Sequence, residues 1–235
     1  AERALSAACP AANARLLGSR EPLGFRESET GEPGEEGDEW LPYLVPFRRR
    51  LFETLRDRSR PLRARLADFL TLCLLGDAVL AEAELEGTAP EDLLTLEGGT
   101  LEGTLPEKGI FPAGFRLLAS LEVLEPDWRD VLREAETAAP VPQDEALLER
   151  IAVYFAYRSV LKCVNDGDLL GRGLYTVFLT LAAERIAAVR GLGEALRRLS
   201  REVEHDADNV EALLTAFRKD GAFDVGCFLW ELRNS

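Results

Sequence analysis

Four side chains that carry a charge or an exchangeable proton are spaced four residues apart in the second half of the chain. They are Tyr154, Arg158, Lys162 and Asp166. Residues four apart lie on one face of an α-helix, so this spacing predicts a polar stripe on an otherwise apolar helix. Buried cations need partners, and the sequence offers two arrangements that would supply them.

In the first arrangement, the cations pair with acidic side chains and tie the two central helices of the fold together. The candidate partners are Asp166, Asp168 and Glu184. In the second arrangement, the stripe is the floor of a pocket within a helical bundle. The walls would be Tyr154, Phe155, Tyr157, Tyr175 and Phe178. Aromatic faces attract a cation or a sulfonium group, although aromatic residues at helical spacing are also typical of an ordinary core.

Two long helices are predicted to position these residues, over 143–165 and 169–190, and a tight turn at Asp166, Gly167 and Asp168 joins them. Both are apolar nearly all round, which indicates burial. The other segments have helical spacing without strand-like alternation. We therefore predict an all-α fold, a multi-helix bundle with two buried central helices and a mobile acidic loop.

The chain divides into four predicted segments. Residues 1–25 form an N-terminal helical segment, and residues 26–39 form an acidic flexible loop with seven acidic side chains. Residues 40–139 form a helical sub-domain with a Gly-rich loop, and residues 140–235 form a C-terminal helical bundle. The boundary is placed at Pro140, because Pro140 and Pro142 interrupt the helical pattern.

Local signals set the predicted helix ends. Pro42 and Pro46 shift the start of the first helix of the sub-domain toward Val45. Ser59 is predicted to cap the next helix, with Pro61 in its first turn. Near the C-terminus, the residues from Asp208 to Glu211 resemble a capping box.

Composition excludes several classes of protein. The chain has 28 basic and 42 acidic residues, a net charge of −14, so it would mostly repel nucleic acid. Its longest apolar stretch, 174–183, is short of the roughly 20 residues that a membrane-spanning helix needs. His205 is the single histidine, which excludes two-histidine metal sites. We expect a cytoplasmic protein that binds neither nucleic acid nor a membrane.

The four cysteines lie far apart with no CxxC pair, so no zinc knuckle or dense disulfide framework is expected. They are Cys9, Cys73, Cys163 and Cys227. Cys73 falls on the apolar stripe of its predicted helix, and we assign it to the core.

Four stretches of the sequence resemble bacterial flagellin lysine N-methylases. They are ALSAACPAANARLL, EWLPYLVPFRRRLFETLRDRSRPLRARLADFL, YFAYRSVLKCVNDGDLLGR and LSREVEHDADNVEALL. The resemblance covers most of the chain in order, and the Gly-rich middle matches least. It implies transfer of methyl groups from S-adenosylmethionine to lysine side chains of flagellin, in the cytoplasm before export.

The sequence departs from that family in one respect. Members begin with a cysteine-rich region thought to hold an iron-sulfur or other metal centre, and only Cys9 could belong to its end. We therefore expect a fragment or a shortened relative, with no metal site of its own.

Methyl transfer requires a lysine amine that has lost its proton, so a base or a desolvating aromatic site is needed. As catalytic residues we predict Tyr157, Asp166 and Asp168. As substrate or cofactor contacts we predict Tyr154, Arg158, Lys162, Arg172 and Tyr175. Two alternatives stay open: a non-enzymatic, chaperone-like helical interaction module, and a sensor domain with a small ligand in the bundle.

Overall fold

The computed structural model describes residues 38–98, 106–139 and 141–234. Within these ranges the regular structure is helical, and there is no strand. The α-helices are α1 (Leu41–Arg56), α2 (Leu62–Glu86), α3 (Phe111–Ser120), α4 (Trp128–Thr137), α5 (Glu145–Ser159), α6 (Leu169–Arg190), α7 (Leu192–Leu199), α8 (Ala207–Lys219) and α9 (Val225–Asn234). The predicted all-α bundle is confirmed.

The two central helices are α5 and α6. The bounds of α6 agree with the prediction, whereas α5 ends at Ser159 and a tighter 3-10 turn, Val160–Val164, follows it. Asp168 caps α6 by accepting a hydrogen bond from the backbone N–H of Gly171 at 2.8 Å. Helices α2, α4, α5, α7, α8 and α9 all contact α6. This helix is therefore buried along most of its length, as its all-round apolar sequence predicts.

The core confirms the assignment of Cys73, which is fully buried on α2. A Cβ atom at Gly173 would lie 2.8 Å from the Cβ atom of Cys73, closer than carbon atoms normally approach. Glycine at this position therefore lets α2 and α6 pack closely. At the other side of α6, Phe178 meets the edges of Phe217 and Phe223 in a buried aromatic cluster.

Two predicted helix starts are wrong. Helix α1 begins at Leu41. Pro42 is tolerated in the first turn, where a missing N–H costs nothing, and Pro46 lies inside the helix and removes one further hydrogen bond. Ser59 does not cap α2. Its hydroxyl donates to the carboxylate of Asp57 at 2.6 Å, and the N-cap residue of α2 is Pro61.

The predicted capping box at Asp208 is also wrong. Asp206 caps α8, because its carboxylate accepts the backbone N–H groups of Asp208 at 2.9 Å and Asn209 at 3.1 Å. A capping residue lies just outside its helix with extended backbone, and Asp206 has that conformation. The preceding turn, Ser200–Glu204, is a π-helical turn, which a sequence pattern alone does not reveal.

Several predictions fall outside the described residues. The N-terminal helical segment and nearly all of the acidic loop at 26–39 lie there, and so does Pro140. In the described ranges, no helix is long and apolar enough to cross a membrane.

Charged side chains fix the segment between α3 and α4 onto α7. Arg197 bonds the carboxylates of Glu125 at 2.6 Å and Glu194 at 2.7 Å. Arg198 bonds Asp127 at 2.8 Å and Glu194 at 2.8 Å. Glu194 thus links the two arginines that hold this segment in place.

The Glu194→Gln variant is expected to be less stable at pH 7 and unchanged at pH 2. The hydrogen bond from Arg197, and a further one from Arg198, lower the pKa of Glu194 from 4.5 to about 2. A folded-state pKa below the unfolded value stabilises the fold above pH 4.5, and this stabilisation is lost as the pH falls toward 2. Because the side chain is 34% exposed, solvent screening reduces the effect to about 1 kcal/mol.

Urea unfolding at a series of pH values measures this difference. Glu136→Gln, an exposed position on α4, is the matched control. Equal losses for the two variants at pH 7 would contradict the assignment.

Candidate functional site

An open cleft of about 530 Å³ lies beside the turn that joins α5 and α6. Its walls come from the second half of α2, the start of α6, the end of α8, and the segment that leads into α9 together with Val225, the first residue of α9. The charged lining residues are Asp77, Glu84, Asp166, Asp168, Arg218 and Asp224. Apolar side chains complete the lining, among them Phe217 and Phe223. We call this the acidic cleft, because its carboxylates outnumber its one lining arginine.

Asp168 is partly buried in the acidic cleft. One carboxylate oxygen, Oδ1, accepts the N–H of Gly171, and Oδ2 lies 3.1 Å from a guanidinium nitrogen of Arg218. Burial raises the pKa of Asp168, although the bond from Gly171 and the charge of Arg218 oppose that rise. A carboxylate with a raised pKa is a stronger base than an ordinary aspartate.

Asp77 reaches the same place from α2. Its Oδ1 atom accepts the backbone N–H of Leu170 at 2.9 Å, at the first turn of α6. Burial raises the pKa of Asp77, and the nearby charges of Asp168 and Asp166 add to this. The sequence analysis missed Asp77. The signal was available, since it is a lone carboxylate within the apolar run LTLCLLGDAVLA.

The predicted acidic partners are engaged by other arginines. Asp166 pairs with Arg172, and Asp168 pairs with Arg218. Glu184 pairs with Arg63 of α2. The pairs of Asp168 and Glu184 tie α6 to α8 and to α2. The predicted role was to tie the two central helices together, and none of these three pairs joins α5 to α6.

Arg158 and Lys162 are both exposed, so the prediction that they are buried cations is wrong. For Lys162 the reason is local: α5 ends at Ser159, and Lys162 belongs to the 3-10 turn, in which the regular spacing of four residues no longer sets one face. Arg158 lies within α5 and is exposed there. Arg172, in contrast, is a buried cation at the start of α6.

A second cluster forms around Glu204, at the end of the π-helical turn. The hydroxyl of Tyr154 donates to Glu204 Oε2 at a long 3.4 Å. Burial raises the pKa of Glu204, and the charge of Arg158 opposes the rise. Burial also raises the pKa of Tyr175, and the negative charge of Glu204 contributes. Tyr154, Arg158 and Tyr175 are thus brought together, but they do not line the acidic cleft.

Glu204 is half-buried. The π-helical turn changes the direction in which this side chain points relative to a regular helix.

Tyr157 lies apart from both groups. Its ring faces the guanidinium group of Arg48, on α1, at 5.2 Å. Both side chains are buried, and the same arginine lies 5.6 Å from the ring of Phe52. The structure therefore does not bring Tyr157 together with Asp166 and Asp168, with which it was predicted to act.

Cys73, Cys163 and Cys227 are buried thiols without disulfide bonds. Burial raises the pKa of each of the three, which makes them poor nucleophiles. Among the described residues, no group of three or more His, Cys, Asp or Glu side chains could hold a metal ion.

Comparisons of the chain with protein-family models, with curated proteins and with solved structures find no match. The fold and the geometry define the molecule as an all-α protein with an acidic, phenylalanine-lined cleft beside the turn between its central helices.

Proposed function

We propose that the chain acts in the methylation of protein lysines, transferring methyl groups from S-adenosylmethionine to lysine side chains of flagellin in the cytoplasm. The observation that carries the proposal is the acidic cleft, whose residues include Asp166 and Asp168 of the segment that resembles the flagellin methylases. A cleft of about 530 Å³ has the size of ordinary ligand sites, which run from about 300 to 1,000 Å³.

The lining chemistry suits a lysine side chain. Asp77, Asp168 and Glu84 attract the ammonium group as it approaches, because opposite charges favour encounter. The apolar stem of lysine packs well against apolar surface, which Phe217 and Phe223 supply. The cleft can thus hold both parts of one lysine side chain.

Asp168 is the residue that we assign as the base. The lysine nitrogen must lose a proton before its lone pair can attack a methyl carbon, and a carboxylate with a raised pKa accepts that proton more readily. The bonds from Gly171 and Arg218 hold the carboxylate in one orientation.

The cleft residues also fit the methyl donor. S-adenosylmethionine would supply an electrophilic methyl group on a positively charged sulfur, and the cleft carboxylates favour that charge. As the N–C bond forms, the C–S bond breaks and the neutral thioether, S-adenosylhomocysteine, leaves. The donor's own carboxylate needs a cation, and Arg218 supplies one at the cleft.

Calorimetric titration of the full chain with S-adenosylmethionine, with and without a lysine-bearing flagellin fragment, tests the proposal. Mass spectrometry of the fragment then measures methyl transfer. Donor binding together with methylated lysine is the expected result. Binding of flagellin alone would instead favour the non-enzymatic interaction module, and binding of neither would contradict the proposal.

A further inference from the structure

A second concavity, of about 360 Å³, lies between the first half of α2 and the second half of α9. Arg60, Arg63 and Arg233 line it together with Asp68. Its apolar lining residues are Ala64, Ala67, Leu229 and Leu232. We call it the arginine groove.

Two of the groove arginines, Arg60 and Arg63, belong to an arginine-rich stretch of an acidic protein. Residues 48–65 contain eight arginines and two acidic residues, although the whole chain has a net charge of −14. Arg60 pairs with Asp68, and Arg63 pairs with Glu184. A guanidinium group has five N–H donors, so each pair leaves donors for another carboxylate. Arg233 is exposed, and no ion pair is seen for it among the described side chains.

The groove and the acidic cleft lie along one seam, because α2 and α9 contribute to both. On α2, the lining residues Ala67, Thr71, Leu74, Asp77 and Ala81 follow one another at spacings of three and four, so they share one face. The centres of the two sites are about 13 residues apart on α2. At 1.5 Å per residue, this separation is about 20 Å.

We infer that the arginine groove binds the acidic flank of the same partner segment whose lysine enters the acidic cleft. An extended chain spans about 3.3 Å per residue, so a separation of about 20 Å corresponds to about six residues. The expected substrate thus carries a lysine and, about six residues away, carboxylates next to an apolar side chain. The assignment of the lysine end rests on the proposed function.

The charge of the molecule supports this occupant. The net charge of −14 disfavours a carboxylate overall, whereas the three arginines of the groove attract it, so electrostatic complementarity favours one register of the segment. The apolar floor at Leu229 and Leu232 accepts a side chain next to the carboxylates. A segment with both charges therefore has one favoured placement along the seam.

Fluorescence anisotropy with labelled peptides and the full chain tests the inference. The probe peptide carries one Lys, five Gly or Ser residues and then Glu-Leu-Glu, made in both sequence directions. Its isomer has the same residues with Glu-Leu-Glu directly next to Lys. We expect the spaced peptide, in one direction, to bind about fivefold more tightly or better. Equal affinities for the isomers would overturn the inference.

The variants Arg60→Glu and Arg233→Glu, combined in one chain, should remove the preference for the spaced peptide. Arg116→Glu and Arg133→Glu, combined in one chain, are the matched control, because both arginines are exposed, on α3 and α4, and the net charge changes by the same amount. If the control removes the preference equally well, overall charge explains it and the groove assignment fails. A circular-dichroism spectrum unchanged from that of the parent shows that the double variant folds.

The outcomes separate the inference from the proposed function. Spacing-dependent binding without methyl transfer supports the groove and contradicts the methylation proposal. Methyl transfer at equal rates to both isomers, when the two also bind with equal affinity, supports the methylation proposal and contradicts the inference about the arginine groove.

Discussion

Replacing Asp168 by Asn is expected to lower the rate of lysine methylation by about a hundredfold or more, the usual contribution of a positioned base. Asn cannot accept the proton, but its side-chain oxygen can still accept the N–H of Gly171, because Asn and Asp cap helices about equally well. The variant should therefore remain folded. The measurement is the initial rate of methyl incorporation into a flagellin fragment at saturating S-adenosylmethionine.

Two further substitutions make this result specific. Asp166→Asn changes an exposed carboxylate of the same cleft that pairs with Arg172, and a smaller loss is expected. Tyr157→Phe should leave the rate unchanged, because the tyrosine ring lies against Arg48 rather than in the cleft. A rate for Asp168→Asn within a factor of two of the parent would show that Asp168 is not the base. A large effect of Tyr157→Phe would contradict its placement away from the site.

The central part of the fold could be predicted from the sequence, because the apolar pattern and the capping residue of α6 each have a clear physical meaning. Helix α6 is apolar on all sides, and the residue before it, Asp168, is a strong capping residue; its bounds were therefore predicted correctly. The end of α5 was not predicted correctly, because the residue types around Val160 do not indicate the change from an α-helix to a 3-10 turn. That change is also why Lys162 was wrongly expected to be buried.

Some of the residues of the acidic cleft could be predicted from the sequence, and others could not. Asp166 and Asp168 lie two residues apart in the turn between two helices that the sequence predicts to be buried, so they are identified together. Asp77 lies about 90 residues earlier, and its proximity depends on the packing of α2 against α6, which no local pattern contains. Glu204 was missed for a different reason, since its direction depends on a π-helical turn.

The Glu149→Ala variant is expected to lower the free energy of unfolding by about 3–5 kcal/mol, the cost of leaving a buried charge without its partner. Glu149 accepts hydrogen bonds from Arg65 at 2.7 Å and from Arg58 at 2.9 Å. The side chains of Glu149 and Arg65 are only 5% and 3% exposed. These bonds join the start of α2, and the loop before it, to α5, so their loss weakens the packing of α2 against α5.

Urea unfolding at pH 7 measures the loss, and Glu145→Ala is the matched control on the same helix. Glu145 also bonds Arg65, at 3.1 Å, but its side chain is 55% exposed, so a loss of about 1 kcal/mol or less is expected. Similar losses for the two variants would show that burial of the charge is not the cause.

A double variant, Arg65→Leu with Glu149→Leu, separates the orphaned charge from lost packing. Removing both buried charges together is often neutral, so this variant should be more stable than Glu149→Ala alone. If it is less stable, the hydrogen bond from Arg65 to the carbonyl of Leu55 at 2.6 Å carries more of the stability than the ion pair does.

The effect of Glu149→Ala should also fade in acid. Burial raises the pKa of Glu149, but the hydrogen bonds and charges of Arg58 and Arg65 outweigh it and hold the pKa below its ordinary value of 4.5. A folded-state pKa below the unfolded value means that the carboxylate stabilises the fold above pH 4.5 and does so less and less as the pH falls through the folded-state pKa. The difference between parent and variant should therefore shrink as the carboxylate is protonated, whereas a difference that stays constant with pH would assign the loss to packing alone.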